Sequence, residues 1–153
     1  MSEHFINNIR DMLNEEKWTR ANIADCSVSN LKTLDDLLSS CRDKDTQTEL
    51  QTLCDEHLET SRDSIIALFL GGVLSLSKRL VDDSNLVFLC NMFIDIQKWN
   101  VAQYICERIL FYGENKFALR TLADTYLKKE DEPAHYETLE RLTKIDFTDA
   151  ETV

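Results

Sequence analysis

Cys54 and His57 stand three residues apart, about one helical turn, so their side chains share a face and could offer a metal ion two ligands. A structural zinc site needs four, and no second pair at matching spacing completes the set. His4 and His135 are isolated. Packing on a buried helix face is the simpler role for Cys54 and His57. Carboxylates close enough for acid–base work occur at Asp43 and Asp45 and at Asp55, Glu56 and Glu59. They fall on polar faces or loops, where such runs are ordinarily solvated. Neither a glycine-rich phosphate loop nor a nucleophile elbow is present. Trp18 and Trp99 flank helix ends and read as core plugs. No residue is therefore assigned to catalysis, to a cofactor or to a metal, no cofactor is expected, and the protein reads as a binder rather than an enzyme.

The elements that would position any site are helical. Three glycines and one proline in 153 residues disfavour a turn-rich sandwich or barrel and favour helices joined by short polar loops. A net charge of −11 argues against a nucleic-acid surface, which needs a concentrated basic stripe. The densest basic groups, Lys78-Arg79 and Lys128-Lys129, fit last turns of helices, where cations complement the macrodipole. Five cysteines without paired spacing, and no visible targeting segment, point to reduced thiols in the cytoplasm. The apolar stretch from Ile65 to Leu76 is short of the roughly 20 residues a membrane span needs, so no membrane partner is expected.

The periodicity predicts about eight or nine helices and no sheet. Phe5, Ile6, Ile9, Met12 and Leu13 form a first apolar face, with Ser2 as a cap. Trp18, Ala21 and Ile23 belong to a short helix. Ser29 or Asn30 caps a helix carrying Leu31, Leu34, Leu37, Leu38 and Cys41, and Thr46 opens the helix of Leu50, Leu53, Cys54 and Leu58. Ser61, with Ser64 and Ile65 following, begins the apolar helix, which belongs at a centre. Its glycines, Gly71 and Gly72, suit close approach of a neighbour. Asp82, Asp83 and Ser84 cap the helix of Leu86, Leu89, Cys90 and Phe93. Trp99 and Asn100 make a turn before Val101, Ala102, Ile105, Cys106 and Ile109, and Gly113 stops that helix.

A shift of 33 residues then pairs Leu86 with Leu119, Leu89 with Leu122, Cys90 with Ala123, Phe93 with Tyr126, Cys106 with Leu139 and Ile109 with Leu142. A helix–turn–helix unit of this period is the mark of tetratricopeptide-like repeats. Small residues at Ala102 and Ala123 allow close packing, and Pro133 fits a first helical turn. The match is degenerate, with Leu86 and Leu119 where the repeat usually has Trp and His135 where it has Ala. The fold expected is all-α: an irregular helical N-terminal part over residues 1–80, packed on a tetratricopeptide-like hairpin superhelix over 81–153. The latter comprises two hairpins and, from a cap at Thr148 and Asp149, the start of a further helix. The chain reads as a fragment of a longer protein.

Several stretches resemble the amino-terminal extension of the spirochaete form of the Gre-type transcription elongation factor. They include Glu15-Glu16-Lys17-Trp18-Thr19-Arg20-Ala21, Ser64-Ile65-Ile66-Ala67-Leu68, Leu80-Val81-Asp82-Asp83-Ser84-Asn85-Leu86 and Lys98-Trp99-Asn100. Cys106-Glu107-Arg108-Ile109-Leu110 and Asn115-Lys116-Phe117-Ala118-Leu119-Arg120-Thr121-Leu122-Ala123 continue the series. The resemblance runs over essentially the whole chain. It implies a bacterial cytoplasmic protein whose full-length form rescues backtracked RNA polymerase by stimulating transcript cleavage. In that family an acidic-tipped coiled-coil finger does this, and no such heptad hairpin occurs in this sequence.

The resulting expectation is a non-catalytic protein-interaction domain. Its partner is RNA polymerase, another protein or the remainder of the same factor, with no direct nucleic-acid contact. An architectural spacer without its own ligand is the alternative, and an RNA-binding repeat the remotest one. In stacked hairpins the first helices line the concave face. Inward positions are then Val87, Asn91, Ile94 and Asp95 in one unit and Phe117, Arg120, Asp124, Leu127 and Lys128 in the next. The partner-binding residues expected are Asn91, Asp95, Arg120, Asp124 and Lys128, since Asn can pair with an extended backbone and Arg can clamp a carboxylate.

Overall fold

A computed structural model describes residues 2–15, 18–78 and 82–151. Among them the fold is all-helical, with eight α-helices, one 3-10 helix and no strand. The helices are α1 (Ser2–Asn14), a 3-10 helix (Arg20–Asp25), α2 (Val28–Ser40), α3 (Lys44–Thr60), α4 (Ile65–Ser77) and α5 (Ser84–Asp95). They continue with α6 (Trp99–Phe111), α7 (Lys116–Lys128) and α8 (Glu132–Glu151). No described helix is long and apolar enough to cross a membrane. The chain divides into two compact units, Met1–Met92 and Phe93–Val153, with the division inside α5. The expected boundary at residue 80 falls outside the described residues, as does Arg79.

In the first unit α4 packs against α1, α2 and α3, and α1 also packs on α3. Every residue from Ile65 to Ser75 is buried, which explains why its sequence has no polar stripe. Ile6, Ile9 and Leu13 of α1, Leu31 and Leu34 of α2, and Leu50 and Cys54 of α3 complete this core. Ser64, not Ser61, caps α4: its Oγ accepts the N–H of Ala67 at 3.3 Å, while Ser61 closes α3. The glycines do admit a close neighbour. A Cβ on Gly72 would stand 2.7 Å from Leu86 Cγ.

Other starts also differ from those read in the sequence. Ser27 precedes α2, and its N–H is taken by Asn30 Oδ1 at 2.8 Å, so Asn30 is the returning half of the cap rather than the cap itself. Asp43 caps α3, accepting the N–H of Thr46 at 3.0 Å and its hydroxyl at 2.8 Å. Those bonds hold the Asp43 carboxyl below the usual carboxylate range. Ser2 is the first residue of α1, and a capping role for its side chain lies outside the described residues.

In the second unit α7 packs against both α6 and α8. Buried Val101, Ala102, Ile105, Cys106 and Ile109 of α6 belong to this core with Ala118, Leu119, Leu122 and Ala123 of α7. Two turns in this unit share one geometry. After α5, Lys98 N–H donates to Phe93 O at 3.0 Å and Gln97 N–H to Ile94 O at 2.9 Å, with Gln97 at φ 61°. After α7, Asp131 N–H donates to Tyr126 O at 2.9 Å and Glu130 N–H to Leu127 O at 3.1 Å, with Glu130 at φ 60°. This is a Schellman closure repeated at the same 33-residue shift that the apolar positions show. Trp99 and Asn100 accordingly begin α6 instead of forming the turn.

Gly113 ends α6 with φ 147°, a positive value that L side chains rarely adopt. Pro133 stands in the first turn of α8. That helix continues unbroken through Thr148 and Asp149, so no new helix starts there.

Candidate functional site

Cys54 and His57, assigned to packing rather than to a metal in the sequence, both lie on α3. Cys54 is fully buried, and burial, reinforced by the charge of Asp55, pushes its thiol up to about 12. Among the described residues no group of three or more His, Cys, Asp or Glu could hold a metal ion. All five cysteines are buried and free of disulfides.

On α7, Arg120, Asp124 and Lys128 recur every four residues and form one exposed row. Phe117 flanks it half-buried, and Leu127 is 55% exposed. On α5, Asn91 and Asp95 are likewise exposed and one turn apart, with Val87 and Ile94 half-buried. None of these five polar side chains makes a hydrogen bond or ion pair with the described residues. The structure thus assembles three of the expected residues on one helix face and the other two on a second helix, with Asn91 belonging to the first unit.

A further concavity was not read in the sequence. Between α6 and α8, over α7, lies a groove of about 390 Å³. α6 contributes Glu107, Leu110 and Phe111, spaced to share a face. α7 contributes Leu122 and Tyr126 as the floor, and α8 adds Ala134, Glu137, Thr138 and Arg141.

Tyr126 is half-buried, and its phenol is pushed up first by burial and then by Glu107, Asp131, Cys106 and Glu137. Gln103 donates to Glu107 at 2.9 Å, and Lys129 donates to Gln103 at 2.7 Å. Arg141 pairs with Glu114 at 2.6 Å. Phe111, 73% exposed, stands at the rim with the Arg108 guanidinium 5.1 Å from its ring centroid. The spacings Glu107–Leu110–Phe111 and Ala134–Glu137–Thr138–Arg141 were visible in the sequence, but only the packing of both helices on α7 makes them one site.

Fold and surface together define an all-helical domain of the hairpin-repeat kind, and similarity to known proteins places it in a biological context. It is 42% identical over 125 residues to the "Putative GreA-associated domains protein" of Treponema pallidum (strain Nichols), covering 82% of this chain and 19% of that protein. It is 33% identical over 126 residues to "Transcription elongation factor GreA" of Borreliella burgdorferi (strain B31), covering 82% of this chain and 14% of that protein. No family model matches the sequence, and no solved structure matches it. The chain spans less than a fifth of the length of these relatives. Its homologues are thus Gre-named spirochaete proteins, the relationship expected of a Gre-associated extension.

Proposed function

We propose that this chain is a non-catalytic protein-interaction domain attached to a Gre-type transcription elongation factor. Its tetratricopeptide-like hairpins present binding faces to RNA polymerase or to the rest of the same factor, in the cytoplasm. The observation that carries the reading is the row Arg120, Asp124 and Lys128, which alternates in charge and spends none of it on the described part of the chain. Unpaired fixed charges on a rigid helix are suited to orienting a partner and rejecting wrong ones. Asn91 and Asp95 extend the same kind of surface on α5. The relatives, much longer than this chain, leave room for separate parts to carry transcript-cleavage chemistry.

The test immobilises the chain and passes purified RNA polymerase over it, and in a second arm the remaining domains of a Gre-type factor. Retention of either is expected, together with no stimulation of transcript cleavage by the chain alone in a backtracked complex. Loss of both interactions, or cleavage stimulated by the isolated chain, overturns the reading.

A further inference from the structure

The groove between α6 and α8 carries an excess of negative charge over an apolar floor. Its own cations are already engaged: Arg141 is held by Glu114, and Lys129 reaches Gln103 instead of a carboxylate. Glu107 receives one bond, from Gln103, and keeps its second oxygen, while Glu137 is exposed and makes no bond with the described residues. Asp131 accepts the Ala134 N–H at 3.3 Å at the start of α8. The Tyr126 hydroxyl likewise has no hydrogen-bond partner among the described residues.

We propose that this groove binds a lysine or arginine side chain presented by a partner protein segment. The aliphatic stem lies on Leu110 and Leu122, and the cationic head sits between Glu107 and Glu137 at the Tyr126 hydroxyl. Charge complementarity selects this occupant. An acidic segment would meet two carboxylates that lack a free counter-charge, and a wholly apolar one would strip water from them without compensation. Long cationic side chains suit such a place because their stems are apolar and their heads are charged. A volume of about 390 Å³ accommodates one such side chain and the edge of its neighbour. The inference rests on reading the chain as an interaction domain, but it uses a different face from the α7 row.

The experiment titrates the isotope-labelled full chain with a short capped peptide of alternating leucine and lysine. A matched peptide carries glutamine in place of lysine. Amide shifts are expected to concentrate on residues 107–111, 122–126 and 134–141, with no binding of the glutamine peptide. The double variant Glu107→Gln/Glu137→Gln should weaken binding about tenfold. Glu49→Gln/Glu59→Gln, with the same change in net charge on α3, should weaken it by less than about twofold, because separated surface charges are screened at physiological salt. Shifts scattered over the acidic surface, equal losses in the two variants, or no binding overturn the proposal. The shift map of the unsubstituted protein decides the matter should the double variant fold poorly. Polymerase capture that persists in a folded Glu107→Gln/Glu137→Gln protein excludes the groove as that contact while leaving the interaction role standing.

Discussion

Gln97 and Glu130 hold the same left-handed backbone, φ 61° and 60°, at equivalent places in two turns 33 residues apart. Neither is glycine, so each turn carries the cost of placing a Cβ against a carbonyl, roughly 1–2 kcal/mol. Part of that returns as reduced chain entropy in the unfolded state. Gln97→Gly and Glu130→Gly should each stabilise the protein by about 0.5–1 kcal/mol. Gln97→Val should destabilise it, because a β-branched residue tolerates this region worst. Urea midpoints of the single variants check both signs.

Gly72→Ala should destabilise by about 1–3 kcal/mol, the range for overpacking a tight core. The new methyl would stand 2.7 Å from Leu86 Cγ and 3.3 Å from the Leu86 backbone nitrogen, and the backbone cannot retreat as a side chain can. The better helix propensity of alanine offsets only about 1 kcal/mol. At Gly71 the nearest atom would be Cys54 Cβ at 3.2 Å, so Gly71→Ala should lose less. A Gly72→Ala protein as stable as the parent would show that α4 and α5 can separate at no cost.

Alkali should unfold the protein partly through Cys54. Its thiol is raised from about 9 to about 12 by burial and Asp55. Below 9 the thiol is protonated in both folded and unfolded chains, and its contribution to stability is fully present. As pH rises from about 9 towards about 12 the unfolded chain releases that proton first, and the contribution is lost. Cys54→Ala should therefore show a shallower decline of stability across this window than the parent. Chemical denaturation at stepped pH reads the two slopes, and identical slopes would remove Cys54 as the cause.

Arg120→Ala and Lys128→Ala should each weaken capture of the partner while shifting the melting temperature little. Both are exposed and make no bond with the described residues, and such surface changes ordinarily stay within about 0.5 kcal/mol of stability. A desolvated charged contact to a partner typically costs 2 kcal/mol or more when truncated. Capture unaffected by either change would move the contact away from α7.

The helices were legible because their apolar positions recur at helical spacing. Leu86 and Leu119 are fully buried, as their equivalence in the repeat required. Starts were harder because several adjacent polar residues could cap. Ser27 and Asn30 form one reciprocal cap, whereas taking Ser29 or Asn30 as the cap places the start too late. The same ambiguity hid Asp43 behind Thr46, whose N–H and hydroxyl it accepts. The repeat weakens in α8: Cys106 is buried, but its equivalent Leu139 is 36% exposed. Exposure of Arg120, Asp124 and Lys128 followed from their period. The groove did not, since its lining comes from α6, α7 and α8 together, a property of three helices at once.

Burial of α4 on all sides has a consequence for how the chain can be cut. A protease that nicks the loops before Ser64 releases a segment whose next dozen residues are almost wholly apolar, and that segment is no longer sheathed by α1, α2 and α3. Such a stretch in water self-associates. Shortened versions that begin after α3 should therefore precipitate, and clipping at the amino-terminal end should be read as loss of soluble protein rather than as trimming.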